Sequence, residues 1–418
     1  MNLKKEVIAL AKNAQLAFRA NLGLTADLKN RALKDMGRSL LAKKETILKA
    51  NRKDILAASA SGASPAFIDR LSLDDKRIKE MADSILEVAR LPDPLGRTIK
   101  SWRNSSGLKI NKVRVPIGVI AIIYESRPNV TAECAALCFK SGNSVILRGG
   151  SEAMKSNTAI YRILKGVLNK RAIDAALINM VATTDRAAVE ILLKLNDYID
   201  LVIPRGGESL IRKVVHSSLI PVIKHYKGIC HVYVDDWADL NMAQKICFNA
   251  KVQRPGVCNA MESMLVHKDA AARFLPGMAK MFREAGVRMR GCPMTRRIIK
   301  GVSLASDRDY RTEYLDLIVS IKVVNSLKEA ISHINEYGSH HSDTIVTDNK
   351  KHGYEFLKYV DSACVYVNAS TRFTDGYQFG LGAEIGISTD KLHARGPMAL
   401  EELTTYKYEI IGSGQVRK

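Results

Sequence analysis

The chain has 418 residues, a length that predicts two or three domains, and 46% of them are hydrophobic, which is enough to build a large core. No apolar run reaches the roughly 18 residues that a membrane-spanning helix needs, and the amphipathic start has no signal-peptide cleavage site. Seven cysteines without regular spacing argue against a disulfide framework, so the sequence predicts a cytoplasmic protein with reduced thiols.

The net charge of the chain is +21 at pH 7. Its lysines and arginines are spread along the whole length, and no aromatic residues are interleaved with them to stack on bases. A nucleic-acid-binding protein is an alternative, but a solvated basic surface that steers an anionic ligand fits the pattern better. The sequence therefore predicts no nucleic-acid partner and no membrane partner.

Residues 1–90 carry apolar side chains at helical spacing and predict a helical layer, which ends at the "PDPLG" breaker, residues 92–96. After this breaker, short β-branched runs alternate with amphipathic helices. This alternation is typical of βαβ units and of a parallel sheet that is covered on both faces. The strands predicted in this first α/β series are residues 118–125, 144–149, 176–181, 198–206, 220–225 and 230–235.

A second α/β series begins near Asp236, so the fold class is α/β with two parallel-sheet domains. The strands predicted in it are residues 263–267, 315–324, 343–348 and 363–368. Residues 97–115 and 400–417 look like exposed strands that have no partner in their own domain. Such strands are often paired across a subunit interface.

Several familiar ligand motifs are absent or weak. No G-x-G-x-x-G follows the first sheet strand, no Walker A sequence is present, and "GLGAEIG", residues 380–386, is predicted to be a loop. Cys134 and Cys138 lie one helical turn apart in apolar surroundings and are predicted to be core residues. The adjacent His340 and His341 are predicted to be solvated, and no metal site is predicted.

Two strand-end loops are more informative. "ILRGGSE", residues 146–152, and "IPRGGES", residues 203–209, each set an arginine and two glycines where a parallel strand gives way to a helix. Backbone N–H groups, a helix N-terminus and an arginine together would suit a phosphate. The alternative is a tight turn in which glycine supplies an unusual φ, and the residues alone do not decide between the two.

Cys258 follows a Pro-Gly turn in "VQRPGVCNA", residues 252–260. A lone cysteine in a long chain is more often a packing residue than a nucleophile. A thiol on a turn can nevertheless be exposed, and Arg254 nearby would lower its pKa. A nucleophile would also need an oxyanion hole, to which the Cys258 backbone N–H could contribute.

The stretches that carry a family resemblance are residues 124–157, 200–211, 253–263, 367–398 and 403–414. In order and spacing they cover nearly the whole chain after residue 100, and the sequence resembles the aldehyde dehydrogenase superfamily. The resemblance implies two Rossmann-type domains joined by a small bridging β-hairpin. The implied parts are an NADP-binding domain (1–96 and 116–235), a catalytic domain (236–368), a bridging and oligomerisation element (97–115 and 400–418) and C-terminal loops that return to the cofactor domain and the active-site cleft (369–399).

The same resemblance assigns roles to single residues. It makes Cys258 the nucleophile and Asn129 the side-chain amide that completes the oxyanion hole. The residues that it implies for NADP(H) are Arg148, Gly149, Gly150, Ser151, Glu152, Gly206, Gly207, Glu208 and Glu313. The residues that we expect to bind substrate are Arg127 and Arg254 for a phosphate, with Asn259, Ser370, Thr371 and Arg372 for the remaining groups.

Within the superfamily, the resemblance is to the branch that acts on gamma-glutamyl phosphate. It implies NADPH-dependent reduction of L-glutamate 5-phosphate to L-glutamate 5-semialdehyde through a cysteinyl thioester, in proline synthesis. Residues 222–234 have no acidic residue where hydrolytic members carry a glutamate base, so hydrolysis of the thioester is not expected. Reduction of another acyl phosphate or of an acyl-CoA is the alternative. A homodimer or homotetramer and functional coupling to glutamate 5-kinase are expected.

Overall fold

A computed structural model describes residues 2–417, and they divide into two compact units. The first unit comprises the residues up to 224, residues 380–386 and the residues from 398 onward. The second comprises residues 225–379 and 387–397. Each unit contains a parallel sheet, so the α/β class is as predicted.

The first unit begins with the predicted helical layer. Polar side chains cap four of its five helices. The caps are Asn2, which accepts from the Lys4 N–H, Thr25 from the Leu28 N–H, Ser64 from the Phe67 N–H and Asp74 from the Arg77 N–H. Each such cap stabilises its helix by about 1 kcal/mol. The five helices of the layer are α1 (Leu3–Ala20), α2 (Ala26–Ala42), α3 (Lys44–Ala60), α4 (Pro65–Leu71) and α5 (Asp75–Arg90).

The sheet of the first unit has four parallel strands, with the longest apolar run near its centre. In chain order its strands and helices are β3 (Val119–Tyr124), α6 (Asn129–Lys140), β4 (Ser144–Arg148), α7 (Met154–Lys170), β5 (Ile178–Met180), α8 (Ala187–Leu192), β6 (Leu201–Arg205) and α9 (Glu208–Ser217). Short 3-10 helices at Ser151–Ala153 and Ala175–Leu177 precede α7 and β5. Val7, Ala11 and Ala14 of α1 pack into the same buried cluster as strand residues of this sheet.

The strand order in this sheet is β5-β4-β3-β6. From β3 the chain moves to β4 on one side, and it later returns from β5 to β6 on the other side of β3. The strand order therefore reverses between β3 and β6, and ligands of open α/β sheets bind at the carboxyl ends of the strands at such a point.

The second unit has a seven-stranded sheet with the order β10-β9-β11-β8-β7-β12-β13. In chain order its elements are β7 (Cys230–Val234), α10 (Leu240–Val252), β8 (Met261–His267), α11 (Lys268–Glu284), β9 (Arg288–Gly291), α12 (Pro293–Ile298), β10 (Ser303–Leu304), α13 (Asp307–Tyr310), β11 (Ile318–Val324), α14 (Leu327–Tyr337), β12 (Ser342–Val346), α15 (Lys350–Tyr359), β13 (Cys364–Val367) and the 3-10 helix Thr371–Phe373. Helices α10 and α11 cover one face of the sheet, and α14 and α15 cover the other.

One strand prediction was wrong, and one predicted strand belongs to the other sheet. Residues 220–225 form only a single bridge, between Val202 and Val222, because Pro221 has no N–H to donate to a ladder. Residues 230–235 do form a strand, but β7 pairs with β8 and β12 in the second sheet instead of extending the first. The boundary between the units accordingly lies at residue 224, not at residue 235.

The two exposed stretches that lacked partners pair with each other. Strands β1 (Thr98–Arg103) and β2 (Lys109–Pro116) form an antiparallel hairpin, and β16 (Thr404–Ile411) adds to β2 as a third antiparallel strand. The remaining two strands, β14 (Gly386–Ser388) and β15 (Gly396–Met398), form a two-stranded sheet.

The seven cysteines form no disulfide, and Cys134 and Cys138 are buried as predicted. Within residues 2–417, no helix is long and apolar enough to cross a membrane.

Candidate functional site

In the first unit, the turn after β6 is tied to the end of β3, at the point where the strand order reverses. The Gly207 N–H donates to a carboxylate oxygen of Glu125 at 2.8 Å. A Cβ on Gly206 would lie 2.5 Å from the same carboxylate oxygen, so a side chain there would collide with it. Neither glycine has a positive φ, so what glycine provides at position 206 is room for the Glu125 carboxylate, not an unusual backbone conformation.

The turn after β4 is built in the same way. A Cβ on Gly149 would overlap the side-chain amide of Asn157, and one on Gly150 would overlap the carboxylate of Glu152. Glu152 accepts hydrogen bonds from the backbone N–H and the hydroxyl of Ser126, at 2.9 and 2.7 Å. Burial alone would raise the pKa of Glu152, but hydrogen bonds from its own backbone and from Ser126 lower it. Glu152 is therefore an anion that joins the ends of β3 and β4.

Arg148 is a buried cation at the end of β4, with 7% of its surface exposed. Its Nη1 donates to the Gly149 carbonyl at 2.7 Å, while its buried Nε has no hydrogen-bond partner among residues 2–417. Burial lowers the pKa of this guanidinium, although Glu152 opposes the shift. A buried arginine with an unused N–H, beside the exposed Ser151, fits an anionic part of a dinucleotide.

The remaining predicted residues of the first unit lie at helix starts or beside them. Asn129 is the first residue of α6 and donates to Glu133 at 3.0 Å, and its amide nitrogen carries a second hydrogen. Arg127 is exposed. Glu208 is the first residue of α9 and forms an ion pair with Arg212 at 2.7 Å.

In the second unit, Cys258 is half-buried in the loop between α10 and β8. Its carbonyl accepts a hydrogen bond from the thiol of Cys230 at 3.2 Å, and a Cβ on Gly228 would overlap that carbonyl oxygen. Glu313 accepts from the Gly228 N–H at 2.8 Å. Burial raises the pKa of the Cys230 thiol, which keeps it a donor. The backbone of Cys258 is thus held from one side by residues 228–230.

Ser370, Thr371 and Asn259, which the sequence analysis assigned to substrate, are joined in one buried network. The Thr371 hydroxyl donates to the Asn259 carbonyl at 2.7 Å, and the Asn259 amide donates to the Thr374 carbonyl at 2.8 Å. The Ser370 hydroxyl accepts from the Arg372 N–H at 3.3 Å. These groups hold the 370–372 loop beside the residue that follows Cys258.

The Arg372 side chain is hydrogen-bonded to this network and interacts electrostatically with Cys258. It donates from Nε to Gln253 at 2.8 Å and from Nη1 to the Asn259 side-chain carbonyl. Burial lowers the pKa of Arg372, Arg254 lowers it further, and Cys258 raises it. The Arg372 guanidinium therefore interacts electrostatically with both the Arg254 guanidinium and the Cys258 thiol, and a positive charge beside a thiol favours its thiolate.

Two histidines complete the surroundings of Cys258. The rings of His225 and His341 have centroids 5.6 Å apart. His341 was predicted to be solvated, and this prediction was wrong, because its side chain is fully buried immediately before β12. Burial lowers the pKa of His341 to about 3. One ligand atom each from His225, Cys258 and His341 lie within 4.8 Å of one another.

Comparison with known proteins identifies the family. The family model described as "Aldehyde dehydrogenase family" matches residues 3–297. The chain belongs to this aldehyde dehydrogenase family. It is 54% identical to the gamma-glutamyl phosphate reductase of Moorella thermoacetica over 418 residues, which is the full length of both chains.

Solved structures agree with this assignment. The crystal structure of the Thermotoga maritima gamma-glutamyl phosphate reductase is 47% identical, has a TM-score of 0.97, and covers 99% of this chain and 100% of its own. A Methanocaldococcus jannaschii glyceraldehyde-3-phosphate dehydrogenase in complex with NADP is 14% identical, with a TM-score of 0.69 over 98% of this chain and 95% of its own. This second likeness shows the fold alone.

Sequence reasoning missed the residues that lie beside the Cys258 loop, namely Gly228, Cys230 and His225, as well as the burial of His341. The pairing of β7 with β8 explains the first two, since Cys230 lies opposite Met261 and the residues just before paired parallel strands are neighbours. Had residues 230–235 been assigned to the second sheet, Gly228 and Cys258 would have been predicted to lie close together.

Proposed function

We propose that this protein reduces L-glutamate 5-phosphate to L-glutamate 5-semialdehyde and inorganic phosphate, with NADPH as the reductant, in proline synthesis. One observation carries the proposal. Cys258 lies on a half-buried turn and interacts electrostatically with Arg372, in a chain whose full-length relatives are named gamma-glutamyl phosphate reductase. A thiolate with cationic neighbours suits attack on an acyl phosphate.

In the first step the Cys258 sulfur bonds to the acyl carbon, and the bond from that carbon to the phosphate oxygen breaks. Phosphate leaves with the electron pair, and it needs little acid catalysis because it is already a good leaving group. The backbone N–H of Cys258 stabilises the oxyanion that develops, and we assign the second donor role to Asn129 on the family resemblance. The product of this step is a thioester on Cys258.

We propose that the two glycine turns hold NADP(H). Arg148 at the end of β4 supplies the cation, with Gly149, Gly150, Ser151 and Glu152 in the turn that follows it. Gly206, Gly207 and Glu208 form the second turn, and Glu313 is assigned to the nicotinamide ribose. The unused N–H of buried Arg148 supports the phosphorylated cofactor over NADH. When bound, NADPH supplies the hydride that reduces the thioester, and release of the aldehyde restores the thiolate.

For the substrate we assign Arg127 and Arg254 to the phosphate, and the Asn259 region with the 370–372 loop to the α-carboxylate. The Thr371 hydroxyl already donates to a backbone carbonyl, so its role is to fix the loop. Arg372 then supplies the charge that the carboxylate requires.

Hydrolysis of the thioester is not part of the proposal. Besides the absence of acidic residues at positions 222–234, Glu262 is already engaged four residues after the nucleophile. Its carboxylate pairs with buried Lys251 at 2.7 Å and accepts from the Leu315 N–H at 3.1 Å. A carboxylate that is held in this way is not placed to activate water.

The test is reduction of NADP by purified protein that is given glutamate 5-semialdehyde. Activity should require phosphate or arsenate and should disappear in Cys258→Ser. The matched control is Cys292→Ser, since Cys292 is the other half-buried cysteine and should be dispensable. Reduction without phosphate or arsenate would contradict the acyl-phosphate route, and a requirement for coenzyme A would favour an acyl-CoA reductase.

We also propose that a second copy of this chain pairs on the three-stranded antiparallel sheet. Trp102, Tyr406, Tyr408 and Ile410 are all partly exposed, and the strand register puts them on one face. An apolar row of this kind on an exposed sheet is typical of a subunit interface. A dimer or tetramer, coupling to glutamate 5-kinase and a cytoplasmic location stay predictions.

A further inference from the structure

Two histidines beside Cys258, His225 and His341, have no part in the proposed reaction. The Cys258 sulfur and one ring nitrogen each from His225 and His341 all lie within 4.8 Å of one another. Tetrahedral zinc has Zn–S and Zn–N bonds of about 2.3 and 2.0 Å, which puts its ligand atoms roughly 3.3–3.6 Å apart. Shifts of about 1 Å between side chains would bring the three atoms to that spacing. A thiolate and two imidazoles are ligands that zinc prefers.

The buried His341 provides a second, independent observation. Its Nδ1 lies 2.8 Å from the Ser342 hydroxyl, which is itself 2.6 Å from the Thr374 hydroxyl. Its Nε2 is buried and has no hydrogen-bond partner within the described chain. A buried nitrogen that is left unsatisfied destabilises a protein, so a ligand at this atom would remove that penalty. The hydroxyl at Nδ1 orients the ring, as outer partners of metal-binding histidines do.

The contact of His225 points to the same use of its ring. Its Nδ1 lies 2.8 Å from the Ile387 carbonyl. Because a carbonyl oxygen can only accept, Nδ1 carries a proton, and in the neutral ring Nε2 is then the nitrogen with a lone pair. A backbone carbonyl at Nδ1 is a common way to set this tautomer in a metal-binding histidine.

We propose that Cys258, His225 and His341 form a binding site for Zn²⁺ or a chemically similar divalent cation, with water as the fourth ligand. On binding, the Cys258 thiol releases its proton to solvent and the sulfur coordinates the metal, with no change in oxidation state. The coordinated sulfur is no longer available for attack, so the metal is a reversible inhibitor. The inhibition rests on the proposed function, whereas the binding does not.

Cobalt tests the binding without any activity measurement. Metal-free protein is titrated with Co²⁺, because a thiolate ligand gives a charge-transfer band in the near ultraviolet and tetrahedral geometry gives strong visible bands. Wild type should show both, and Zn²⁺ should displace them. Cys258→Ser should lose the charge-transfer band. His341→Asn should bind Co²⁺ on the order of 100-fold more weakly than wild type. If this buried substitution unfolds the protein, His225→Asn should show the same loss of Co²⁺ affinity.

The matched control is His352→Gln. His352 belongs to the other three-ligand cluster of the described residues, with Asp235 and Asp236, and that cluster has no sulfur. This variant should keep the charge-transfer band, and the midpoint of its Co²⁺ titration should equal that of wild type. The proposal would be overturned if the wild-type protein showed no charge-transfer band. It would also be overturned if wild type, His341→Asn and His225→Asn bound Zn²⁺ with equal affinity.

Inhibition is measured in parallel, as each variant's rate with Zn²⁺ relative to its own metal-free rate. In wild type, half-inhibition should fall at the Zn²⁺ concentration that displaces cobalt, and a chelator should restore the rate. His341→Asn should need on the order of 100-fold more Zn²⁺. If the protein showed a cobalt band that depends on Cys258 but had no reductase activity, the proposed function would be refuted and the metal site would stand. Full reductase activity without the band would refute the site alone.

Discussion

Gly228 lies against the backbone of Cys258, and replacing it with alanine tests how far catalysis depends on that packing. The new Cβ would overlap the Cys258 carbonyl oxygen and would lie 2.5 Å from the Cys258 Cα, whereas ordinary contacts are 3.4–4 Å. One of the two backbone segments must therefore move by about 1 Å. The φ of Gly228 is not positive, so alanine fits the backbone conformation and the effect is steric.

Movement is restrained on both sides. The Cys258 carbonyl accepts from Cys230, and the Gly228 N–H donates to Glu313. Overpacking of this kind destabilises a protein by about 1–3 kcal/mol. A displacement of about 1 Å at a reacting group lowers the rate roughly 100-fold, which equals about 2.7 kcal/mol of transition-state stabilisation. We expect Gly228→Ala to fold and to lose about that much kcat/KM.

The assay is phosphate-dependent reduction of NADP, together with the rate at which iodoacetamide alkylates Cys258. The control is Gly166→Ala in α7, where a Cβ would meet no atom within 4 Å. That change should stabilise the helix by about 0.5–1 kcal/mol and leave kcat/KM unchanged. If Gly228→Ala kept kcat/KM and the alkylation rate within twofold of wild type, the reasoning would be refuted.

Three further predictions concern stability and assembly. Glu262→Gln leaves the buried Lys251 ammonium without its carboxylate and should destabilise the protein by about 3–5 kcal/mol in urea unfolding, whereas an unchanged midpoint would contradict a buried ion pair. Burial lowers the pKa of His333 to about 2, so its contribution to stability is present above pH 6.5 and is lost as the pH falls below that value. Between pH 6.5 and pH 5 the wild-type free energy of unfolding should fall by about 2 kcal/mol because of His333, and His333→Gln should lose that much less. Urea unfolding at pH 7 and pH 5 measures both proteins, and an equal fall in the two would refute the prediction. Tyr408→Glu should shift sedimentation towards the monomer, and an unchanged sedimentation coefficient would exclude that face as the interface.

Much of the fold could be predicted because its signals are local. The apolar spacing in residues 1–90 predicts helices, and the run at 118–125 predicts a strand, without knowledge of any partner. The assignment of residues 230–235 to a sheet is different, because an apolar strand looks the same in either sheet. Its place depends on pairing with β8, which the local pattern does not contain.

The glycine turns illustrate the same limit within the candidate site. Their position between strand and helix could be predicted from the sequence, and the structure has them there. The physical reason could not, because the space at Gly206 is taken up by the carboxylate of Glu125, about 80 residues earlier in the chain. A close approach between distant segments leaves no mark on the sequence beyond the glycine itself.

One sulfur serves both proposals, and this constrains how their residues can act. Thioester formation and metal coordination each need the thiolate, and the charge of Arg372 favours this deprotonated form for attack on the substrate. His225 and His341 differ, because they supply ligands to a metal but no group that the reaction requires. Loss of the Arg372 charge should therefore weaken thiol reactivity without weakening cobalt binding, because replacing the thiol proton with a divalent cation makes the site more positive. Loss of His341 should do the reverse and weaken cobalt binding alone.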